Sequence, residues 1–306
     1  MNYRHHFHAG NFADVLKHAV LVRLARVLQR KPGGLLLLDT HAGRGSYDLA
    51  AAAQGSSLAR APEWPGGIGR LWARGDLPES VTEYMGLVRE FDSQRRGGAG
   101  SGPPILAENE TNNTDTAPQF YPGSPWLLRA VARSQDRVAL CELQAGEYAA
   151  LQAEFQFSPR VSVQQLDGYL ALRAMLPPPE RRALVLIDPP FESPDEFARI
   201  AQGLADGLRR LPGGTFVVWF PLTERAGVAE FDREGGLRRM VNLPPTLVAH
   251  LVVNPVAPKL KGCGLLIVNP PWQFDRELLS LAEWLAGILA QSPGGGAELR
   301  WLVPET

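Results

Sequence analysis

The spacing of apolar residues along the chain predicts a mixture of helices and buried strands. Between residues 11 and 30 apolar side chains recur at helical spacing, and Asn11 stands where an N-cap is expected. After two glycines, the apolar run at residues 35–38 predicts a buried strand, and residues 46–53 predict a short helix. The chain therefore opens with an irregular arm at residues 1–10, an amphipathic helix and a first strand-helix unit.

Strands and helices alternate regularly in the second half of the chain. This alternation predicts a doubly wound, mostly parallel sheet of the α/β class, because each helix returns the chain to begin another parallel strand. Two final apolar runs are expected to form an antiparallel hairpin at the sheet edge. The predicted strands are residues 138–141, 161–164, 184–187, 215–220, 247–253 and 265–268, and the predicted helices are residues 124–134, 145–155, 168–176 and 194–210.

The segment from residue 54 to residue 120 breaks the alternation. It holds two helical patterns, at residues 68–72 and 79–91, and then a stretch rich in Gly, Pro, Asn and Thr at residues 94–119. We expect a surface loop there, because such a composition buries little apolar area. The predicted organisation is residues 1–53 as the start of the main domain, 54–120 as an inserted helical subdomain, and 121–306 as the rest of the main domain.

Composition narrows the class of protein. The chain has 306 residues, of which 45% are hydrophobic and 21% are charged, and this suffices to bury an α/β core. No apolar run approaches the roughly 20 residues of a membrane span, and the N-terminus lacks a signal-peptide pattern. The two cysteines, Cys141 and Cys263, form no Cys-x-x-Cys pattern. We therefore expect a cytoplasmic protein without a disulfide framework, a metal site or a membrane anchor.

Charge is distributed unevenly, although the formal net charge is only −1. Through residue 31 there are six Lys or Arg residues and four of the six histidines, against one acid, Asp14. This basic stretch suits contacts to nucleic-acid phosphates, and it equally suits an ordinary solvated helix face. Charge alone leaves both interpretations open.

The tetrapeptide Asp188-Pro189-Pro190-Phe191 follows the apolar run at residues 183–187. Because prolines lack an N–H and fix φ, they end the strand in a rigid corner at its carboxyl end, the edge at which open α/β sheets bind ligands. The corner offers the Asp188 carboxylate, the Pro189 carbonyl and the aromatic face of Phe191, which together suit an exocyclic aromatic amine. Taken alone, the same residues also fit a capped, proline-rich turn.

Two acceptors can activate an aromatic amine for group transfer. The amino nitrogen of adenine or cytosine is a poor nucleophile, since its lone pair is delocalised into the ring. Acceptors that hold its two hydrogens favour a pyramidal nitrogen and stabilise the positive charge that develops there. A base in a duplex or a folded RNA reaches such a corner only when it is flipped out and stacked on an aromatic side chain, for which Phe191 is the candidate.

A glycine-containing turn follows the first predicted strand. Asp39 precedes Gly43 and Gly45, which permit positive φ and a close approach of the backbone to a ligand. A dinucleotide-binding fingerprint needs a third glycine, but position 48 is Asp, and no phosphate-loop Gly-Lys-Ser/Thr run is present. An acid before such a turn is typical of S-adenosylmethionine-dependent methyltransferases, and this favours S-adenosylmethionine as the cofactor.

Two further strand ends carry acids. Glu142 ends the second strand of the main alternation, where an acid usually accepts ribose hydroxyls. Asp167 and Gly168 follow the third strand, where a carboxylate commonly receives the adenine amine of the cofactor. Each acid alone also fits a helix cap. Their position on the same predicted sheet edge as Asp39 and Asp188 indicates one pocket.

Five stretches of the sequence carry a specific resemblance. They are Tyr-Arg-His-x-Phe-His-Ala-Gly-Asn-x-Ala-Asp-Val-Leu-Lys-His at residues 3–18, Asp-Thr-His-Ala-Gly at 39–43, Tyr-Pro-Gly-Ser-Pro at 121–125, Asp-Pro-Pro at 188–190 and Asn-Pro-Pro-Trp at 269–272. Together they resemble the RlmJ-type bacterial methyltransferases, which methylate adenine N(6) in 23S ribosomal RNA. The resemblance implies a Rossmann-like class I methyltransferase fold, S-adenosylmethionine as cofactor, and 23S rRNA as the partner of a monomeric enzyme. Phe191 departs from the family, which more often has tyrosine there.

The resemblance also implies roles for particular residues. Asp188 would be the central catalytic residue, with Pro189 and Phe191 beside it. The N-terminal arm would fold over the target adenine, where Tyr3, His5 and Lys17 would close the site and Arg4 and Lys17 would meet phosphate. The implied cofactor site comprises His18, His41, Gly43, Gly45, Ser124, Glu142, Asp167 and Gly168.

A second run with the pattern acceptor-Pro-Pro-aromatic begins at Asn269, after the last predicted strand. Asp188 follows the fourth strand after the glycine turn, where this class carries its amine-holding residues, so we assign catalysis to Asp188 and a structural role to Asn269. Two other functions stay open as alternatives: a DNA adenine-N(6) methyltransferase and a noncatalytic, nucleotide-binding RNA-binding protein. A nucleotide-dependent oxidoreductase is disfavoured, because the third glycine is missing.

Overall fold

Among the described residues, the central sheet has eight strands, and a two-stranded ribbon lies outside it. The structure is a computed structural model, and it describes residues 7–54, 61–97, 117–223 and 243–305. The strands are β1 (Leu36–Asp39), β2 (Ser46–Asp48), β3 (Phe120–Pro122), β4 (Arg137–Cys141), β5 (Val161–Gln164), β6 (Ala183–Ile187), β7 (Thr215–Leu222), β8 (Thr246–Val252), β9 (Gly262–Val268) and β10 (Gly296–Val303).

Helices flank the sheet and connect its strands. The first begins directly after Asn11, whose side-chain oxygen accepts hydrogen bonds from the N–H groups of Ala13 and Asp14, as expected of an N-cap. The helices are α1 (Phe12–Gln29), α2 (Leu49–Gln54), α3 (Gly69–Trp72), α4 (Glu79–Arg96), α5 (Ser124–Val131), α6 (Ala145–Phe155), α7 (Gly168–Ala174), α8 (Glu196–Arg210) and α9 (Phe274–Leu289).

The parallel part of the sheet has the order β7-β6-β1-β4-β5, with β1 hydrogen-bonded between β6 and β4. Helices cover both faces. Side chains of α1, α6 and α9 pack in one apolar cluster, and those of α7 and α8 pack in a second cluster. The predicted α/β class with a mostly parallel, doubly wound sheet is therefore confirmed. The carboxyl ends of the five parallel strands share one edge, at which Asp39, Glu142, Asp167 and Asp188 lie.

The far side of the sheet differs from the prediction. β8 and β9 pair antiparallel as expected, and β9 also pairs antiparallel with β7. The hairpin is not at the edge, however, because β10 pairs with β8 and covers it. Neither β10 nor α9 was predicted from the sequence. In α9 the buried residues Phe274, Leu278, Leu281, Ala282, Leu285, Ala286 and Leu289 recur at helical spacing.

The short helix predicted at residues 46–53 was wrong in its first half. Ser46–Asp48 form strand β2 instead, which pairs antiparallel with β3, and helix α2 begins only at Leu49. In this ribbon Tyr47 stands opposite Tyr121. The partner strand lies more than 70 residues further along the chain, so local periodicity could not indicate the pairing.

Helix α4 packs in the same apolar cluster as α1, although it belongs to the predicted inserted subdomain. Its buried residues Val81, Tyr84, Met85 and Val88 share that cluster. The helix continues to Arg96, five residues beyond the predicted end, so the first residues of the predicted loop are helical. Most of that loop, residues 98–116, lies outside the described residues. The domain boundaries stay a prediction.

Candidate active site

A cavity of about 390 Å³ opens at the carboxyl edge of the parallel strands. It brings together side chains from both ends of the predicted site, the glycine turn and the Asp188 corner. Helix α1 supplies part of the wall. The predicted site residues that line the cavity are Lys17, His18, His41, Gly43, Ser124, Glu142, Asp167, Gly168, Asp188, Pro189 and Phe191.

Asp188 is paired with a buried lysine. The Nζ of Lys17 lies 2.5 Å from Asp188 Oδ2 and 2.8 Å from Asp14 Oδ1. Only 4% of Lys17 is exposed. Burial by itself lowers the pKa of Lys17, but the carboxylates of Asp14 and Asp188 outweigh this effect, and the pKa lies well above its ordinary value. Lys17 is therefore a cation held between two carboxylates.

The start of helix α1 explains how Lys17 reaches this position. Asp14 Oδ2 accepts a hydrogen bond of 3.0 Å from the Gly10 N–H, so the carboxylate is anchored at the helix N-terminus. Lys17 follows one turn later, at the i+3 position. The predicted contact of Lys17 with RNA phosphate is not what the structure favours, because the ammonium is enclosed by Asp14 and Asp188.

Phe191 has a fixed orientation at the end of the corner. Its φ of +50° lies in the left-handed region, which is strained for an aromatic residue. Its ring makes edge-to-face contacts with Phe197 at 5.1 Å and with Trp219 at 5.7 Å. Because it also lines the cavity, Phe191 presents a held aromatic surface beside Asp188.

Asp39 is fully buried beneath the glycine turn. Its Oδ2 accepts a hydrogen bond of 2.6 Å from the Ser124 hydroxyl, and its Oδ1 accepts one of 3.2 Å from the His41 N–H. Burial raises the pKa of Asp39 to about 7, although both hydrogen bonds favour the carboxylate. Gly123 occupies the N-cap position of α5, and Ser124 is the first residue of the helix. Ser124 joins the start of α5 to the end of β1.

Gly43 and Glu142 close the side of the cavity formed by the glycine turn. Gly43 has a φ of +59°, and its N–H donates to Glu142 Oε2 at 2.9 Å. The N–H of Gln144 donates to Glu142 Oε1 at 2.7 Å. Burial raises the pKa of Glu142, and these backbone donors limit the rise. The carboxylate is thus held at the end of β4 with lone pairs left for a ligand.

Gly45 packs against helix α6 and does not line the cavity. It has a φ of +84°, and a Cβ there would lie 3.1 Å from side-chain atoms of Leu151 and Phe155 on α6. Gly45 was predicted as a cofactor residue, but it faces the helix and is not among the residues that line the cavity. Its glycine is needed for the turn and for close contact with α6.

Asp167, Gly168 and His41 form the wall opposite Glu142. Asp167 Oδ1 caps α7, accepting from the N–H groups of Tyr169 and Leu170, while its Oδ2 pairs with Arg199 at 3.2 Å. A Cβ on Gly168 would lie 2.3 Å from the Thr40 carbonyl oxygen, so only glycine fits there. Burial lowers the pKa of His41 to about 4, and its ring is neutral at physiological pH.

Asn269 lies at the opposite edge of the sheet from Asp188. β9 runs antiparallel to β7, so the end of β9 meets the loop that precedes β7. The Asn269 amide donates to the carbonyl oxygens of Pro212 and Gly214, each at 2.8 Å. These contacts hold that loop, and they fit the structural role assigned to Asn269.

Comparison with known proteins shows the family to which the chain belongs. The family model described as "Ribosomal RNA large subunit methyltransferase D, RlmJ" matches residues 32–118 and 110–303 of the chain. The chain belongs to this family. Ribosomal RNA large subunit methyltransferase J of Escherichia coli K12 is 34% identical over 310 aligned positions, and that of Haemophilus influenzae Rd is 31% identical, each alignment covering 100% of both proteins.

A solved structure agrees with this membership. The crystal structure of protein LPL1258 from Legionella pneumophila str. Philadelphia 1 superposes with a TM-score of 0.78 at 33% identity, covering 96% of this chain and 97% of the other. Membership of the RlmJ family confirms the resemblance seen in the sequence, and the predicted class I methyltransferase fold is confirmed with it. No helix within the described residues has the length and apolarity needed to cross a membrane.

Part of the predicted RNA-facing site cannot be placed. Tyr3, Arg4 and His5 lie outside the described residues, so their roles in this RlmJ family member stay predictions. The arm is described from Phe7 onward, and His8 lines the cavity with Nδ1 2.9 Å from Glu63 Oε1.

Several residues of the site were not predicted from the sequence. Asp14 was seen only as an acid in the first turn of α1, yet it shares Lys17 with Asp188. The Asp14–Lys17 spacing of three residues was the available signal for a side-chain pair on one helix face. Tyr121 belongs to a stretch that carried the RlmJ resemblance, but its phenol had no assigned role. Arg199 and Trp219 gave no signal in the sequence.

Proposed function

We propose that this chain transfers a methyl group from S-adenosylmethionine to the exocyclic N(6) amine of one adenine in 23S rRNA, in the cytoplasm and as a monomer. The observation that carries the proposal is that a single cavity is lined both by the glycine turn with Glu142 and by the Asp188-Pro189-Pro190-Phe191 corner. Family membership supports the reaction class, and the names of both curated relatives specify large-subunit rRNA.

The residues of the cavity fit S-adenosylmethionine. When bound, this cofactor supplies an electrophilic methyl group on a positively charged sulfur. Acids outnumber bases in the wall, which suits a cation, and the Glu142 carboxylate suits a pair of ribose hydroxyls. His41, Gly43, Ser124 and Asp167 would complete the site. The acidic side chains of the wall are Asp14, Glu142, Glu147, Asp167, Asp188 and Glu196, and the basic ones are Lys17 and Arg199.

Asp188 is arranged to accept a hydrogen bond from the substrate amine. Its Oδ2 is occupied by Lys17, and within the described residues its Oδ1 has no hydrogen-bond partner. The Pro189 carbonyl lies next along the chain and also lines the cavity. If Asp188 Oδ1 and this carbonyl each accept one amine hydrogen, the nitrogen lone pair turns away from the ring system and toward the methyl donor.

The charge of the corner favours the cation that forms on the amine. Asp14, Lys17 and Asp188 together carry one net negative charge in a buried setting. A fixed negative charge stabilises positive charge that develops on the attacking nitrogen, without the reorganisation that water would require. Because Lys17 already neutralises part of Asp188, the carboxylate serves as an acceptor first. The amine proton leaves only after the nitrogen has gained its methyl group, and it passes to Asp188 or to water.

The wall next to Asp188 suits a flat base. Phe191 is held by Phe197 and Trp219, and Pro221 and Leu260 also line the cavity. An adenine flipped out of its RNA would stack on Phe191 while its amine reaches Asp188. Phenylalanine retains the stacking face of the tyrosine that the family more often has. The step therefore needs no phenolic proton.

A methylation assay tests this proposal. Purified protein would be incubated with labelled S-adenosylmethionine and protein-free 23S rRNA, 16S rRNA or duplex DNA, and the nucleosides would be analysed by mass spectrometry. We expect N(6)-methyladenine in 23S rRNA alone. Methylation of DNA instead of RNA would support the DNA methyltransferase alternative, and full retention of N(6)-methyladenine in 23S rRNA of cells lacking this protein would overturn the proposal.

Two variants locate the reaction within the fold. Asp188→Ala should abolish transfer, while Asn269→Ala, at the end of the other Pro-Pro run, should retain it if the protein is folded. Circular dichroism establishes the fold of each variant. The reverse outcome, with activity retained by Asp188→Ala, would move the catalytic corner away from Asp188.

A further inference from the structure

Three buried side chains form a hydrogen-bonded chain behind the cavity. The Oη of Tyr84 on α4 lies 2.9 Å from the Oη of Tyr121 on β3, which lies 2.8 Å from Nδ1 of His18 on α1. Tyr84 and Tyr121 are fully buried, and His18 is 2% exposed. The rings of His18 and Tyr121 are stacked, with centroids 5.6 Å apart. His18 is the member that lines the cavity.

The donors and acceptors in these hydrogen bonds can be assigned from Tyr84, the residue farthest from the cavity. Burial raises the pKa of both Tyr84 and Tyr121 well above the ordinary value, so each keeps its hydroxyl proton. Within the described residues, Tyr84 Oη has no acceptor other than Tyr121 Oη. Tyr84 must therefore donate to Tyr121, because the opposite direction would bury its proton without a partner. Tyr121 in turn donates to His18 Nδ1.

The second histidine of the cavity is held in the opposite way. The Thr40 hydroxyl lies 2.9 Å from the Leu186 carbonyl oxygen and 2.8 Å from His41 Nδ1. A carbonyl only accepts, so the single hydroxyl proton of Thr40 belongs to that contact. Thr40 must then accept from His41, whose Nδ1 carries the proton. The His41 ring is neutral, so its Nε2 has a free lone pair for accepting a hydrogen bond.

We propose that the cavity holds His18 and His41 in opposite tautomers, with His18 as a donor through Nε2–H and His41 as an acceptor through Nε2. Tyr84, Tyr121 and Thr40 are the positioning residues that fix this pattern. The two rings then select a ligand by the polarity of its hydrogen-bonding groups: an acceptor for His18 and a donor for His41. The identity of that ligand as S-adenosylmethionine rests on the proposed function.

The arrangement gives a role to residues that the reaction itself does not use. Tyr121 lies in the Tyr-Pro-Gly-Ser-Pro stretch, and the β2–β3 ribbon places its phenol between α1 and α4. Tyr84 lies in the predicted inserted subdomain, so that segment contributes directly to the state of a cavity residue. Gly168 leaves room for the His41 ring, since a Cβ there would lie 2.7 Å from Cε1 and 3.0 Å from Nε2.

Long-range proton–nitrogen NMR of the ¹⁵N-histidine-labelled, full-length protein measures both tautomers in one spectrum. Spectra of His18→Gln and His41→Gln assign the two signals. We expect His18 to carry its proton on Nε2 and His41 on Nδ1. Equal tautomers, or a mixture of both forms at either residue, would overturn the proposal.

Matched variants separate the hydrogen bonds that fix His18 from those that fix His41. The double variant Tyr84→Phe/Tyr121→Phe should disturb only the His18 tautomer, and Thr40→Val should disturb only that of His41, so each serves as the control of the other. Each should raise the Kd for S-adenosylmethionine about two- to tenfold, the range of one hydrogen bond. Tyr148→Phe on α6, a tyrosine outside both sets of hydrogen bonds, should change neither the tautomers nor the Kd. Altered tautomers with an unchanged Kd would overturn the part of the proposal that concerns ligand selection.

A stability comparison tests the hydrogen-bonded chain independently of any ligand. Tyr121→Phe alone buries the Tyr84 hydroxyl without a partner, whereas the double variant removes both hydroxyls. We expect the double variant to have a higher Tm than Tyr121→Phe. The reverse order would contradict the hydrogen bond between Tyr84 and Tyr121. These readouts need no methylation, so a protein that fails to methylate rRNA but shows opposite tautomers refutes the proposed function alone.

Discussion

The ammonium of Lys17 bridges Asp188 and Asp14, with Nζ 2.5 Å from Asp188 Oδ2 and 2.8 Å from Asp14 Oδ1. This relationship connects a helix at the start of the chain to a strand end 171 residues later. Asp188 is therefore positioned by a buried charge as well as by its two prolines. The same contact places the N-terminal helix against the cavity wall.

Replacing Lys17 by methionine should weaken both folding and catalysis. Removing one partner from a buried ion pair leaves uncompensated charge, which typically lowers the free energy of unfolding by about 3 to 5 kcal/mol. Asp188 would also lose its anchor. Urea unfolding and the rate of methyl transfer measure the two effects, with Lys31→Met, at an exposed lysine, as the control. If both variants unfold at the same urea concentration, the ion pair does not stabilise the fold.

Phe191→Leu should lower kcat/KM for 23S rRNA without weakening the binding of S-adenosylmethionine. Stacking of a base on an aromatic side chain contributes about 1 to 3 kcal/mol, so kcat/KM for 23S rRNA should fall roughly 5- to 150-fold. Phe191→Tyr keeps the face and should retain activity. Steady-state kinetics and calorimetry with S-adenosylmethionine measure the two properties. Phe157→Leu, at a phenylalanine that is 79% exposed, is the control. A similar loss in Phe191→Leu and Phe157→Leu would exclude specific stacking.

Strands β1 and β6 could be predicted because they are buried on both faces and are continuous apolar runs. β6 and β1 were found to within a residue or two, and the acids that follow such strands then located the cavity. β10 escaped prediction because its side chains are only half-buried and its partner β8 lies over 40 residues earlier. β2 was missed for a similar reason, since its structure depends on pairing with β3.

Contacts that close the site depend on distant parts of the chain and could not be inferred from spacing. Lys17 was predicted to contact phosphate from the family resemblance, and the spacing of residues gave no indication that it pairs with Asp188, 171 residues away. Serine before proline commonly begins a helix, so the pair Ser124-Pro125 indicates a helix start and gives no sign of a distant partner. The bond of Ser124 to Asp39 appears only when α5 packs against the end of β1.

Gly43→Ala and Gly45→Ala should separate ligand binding from packing. Both positions have positive φ, so either alanine should lower the free energy of unfolding by about 1 to 2 kcal/mol. Only the Cβ at position 43 would enter the cavity wall, 2.8 Å from the Tyr47 hydroxyl. We therefore expect Gly43→Ala alone to raise the Kd for S-adenosylmethionine, measured by calorimetry. An equal rise in Gly45→Ala would restore Gly45 as a cofactor residue.

Asp39 and His41 should make opposite contributions to the pH dependence of stability. The pKa of Asp39 is raised to about 7 by burial, so as the pH rises from about 4 to 7 the unfolded chain has lost a proton that the folded chain keeps. Stability from this group falls over that window. The pKa of His41 is lowered to about 4 by burial, so its contribution is present above about pH 6.5 and is lost as the pH falls toward 4.

Single substitutions should reveal the two opposing slopes. In Asp39→Asn the histidine acts alone, and the free energy of unfolding should rise with pH between about 4 and 6.5 more steeply than in the unsubstituted protein, by up to about 1.4 kcal/mol per pH unit. In His41→Gln it should rise less steeply, or fall, by a similar amount. Urea unfolding across this pH range measures the slopes. The double variant should run parallel to the unsubstituted protein, because both contributions are removed together. Single variants that also run parallel to it would show that burial does not shift these two groups.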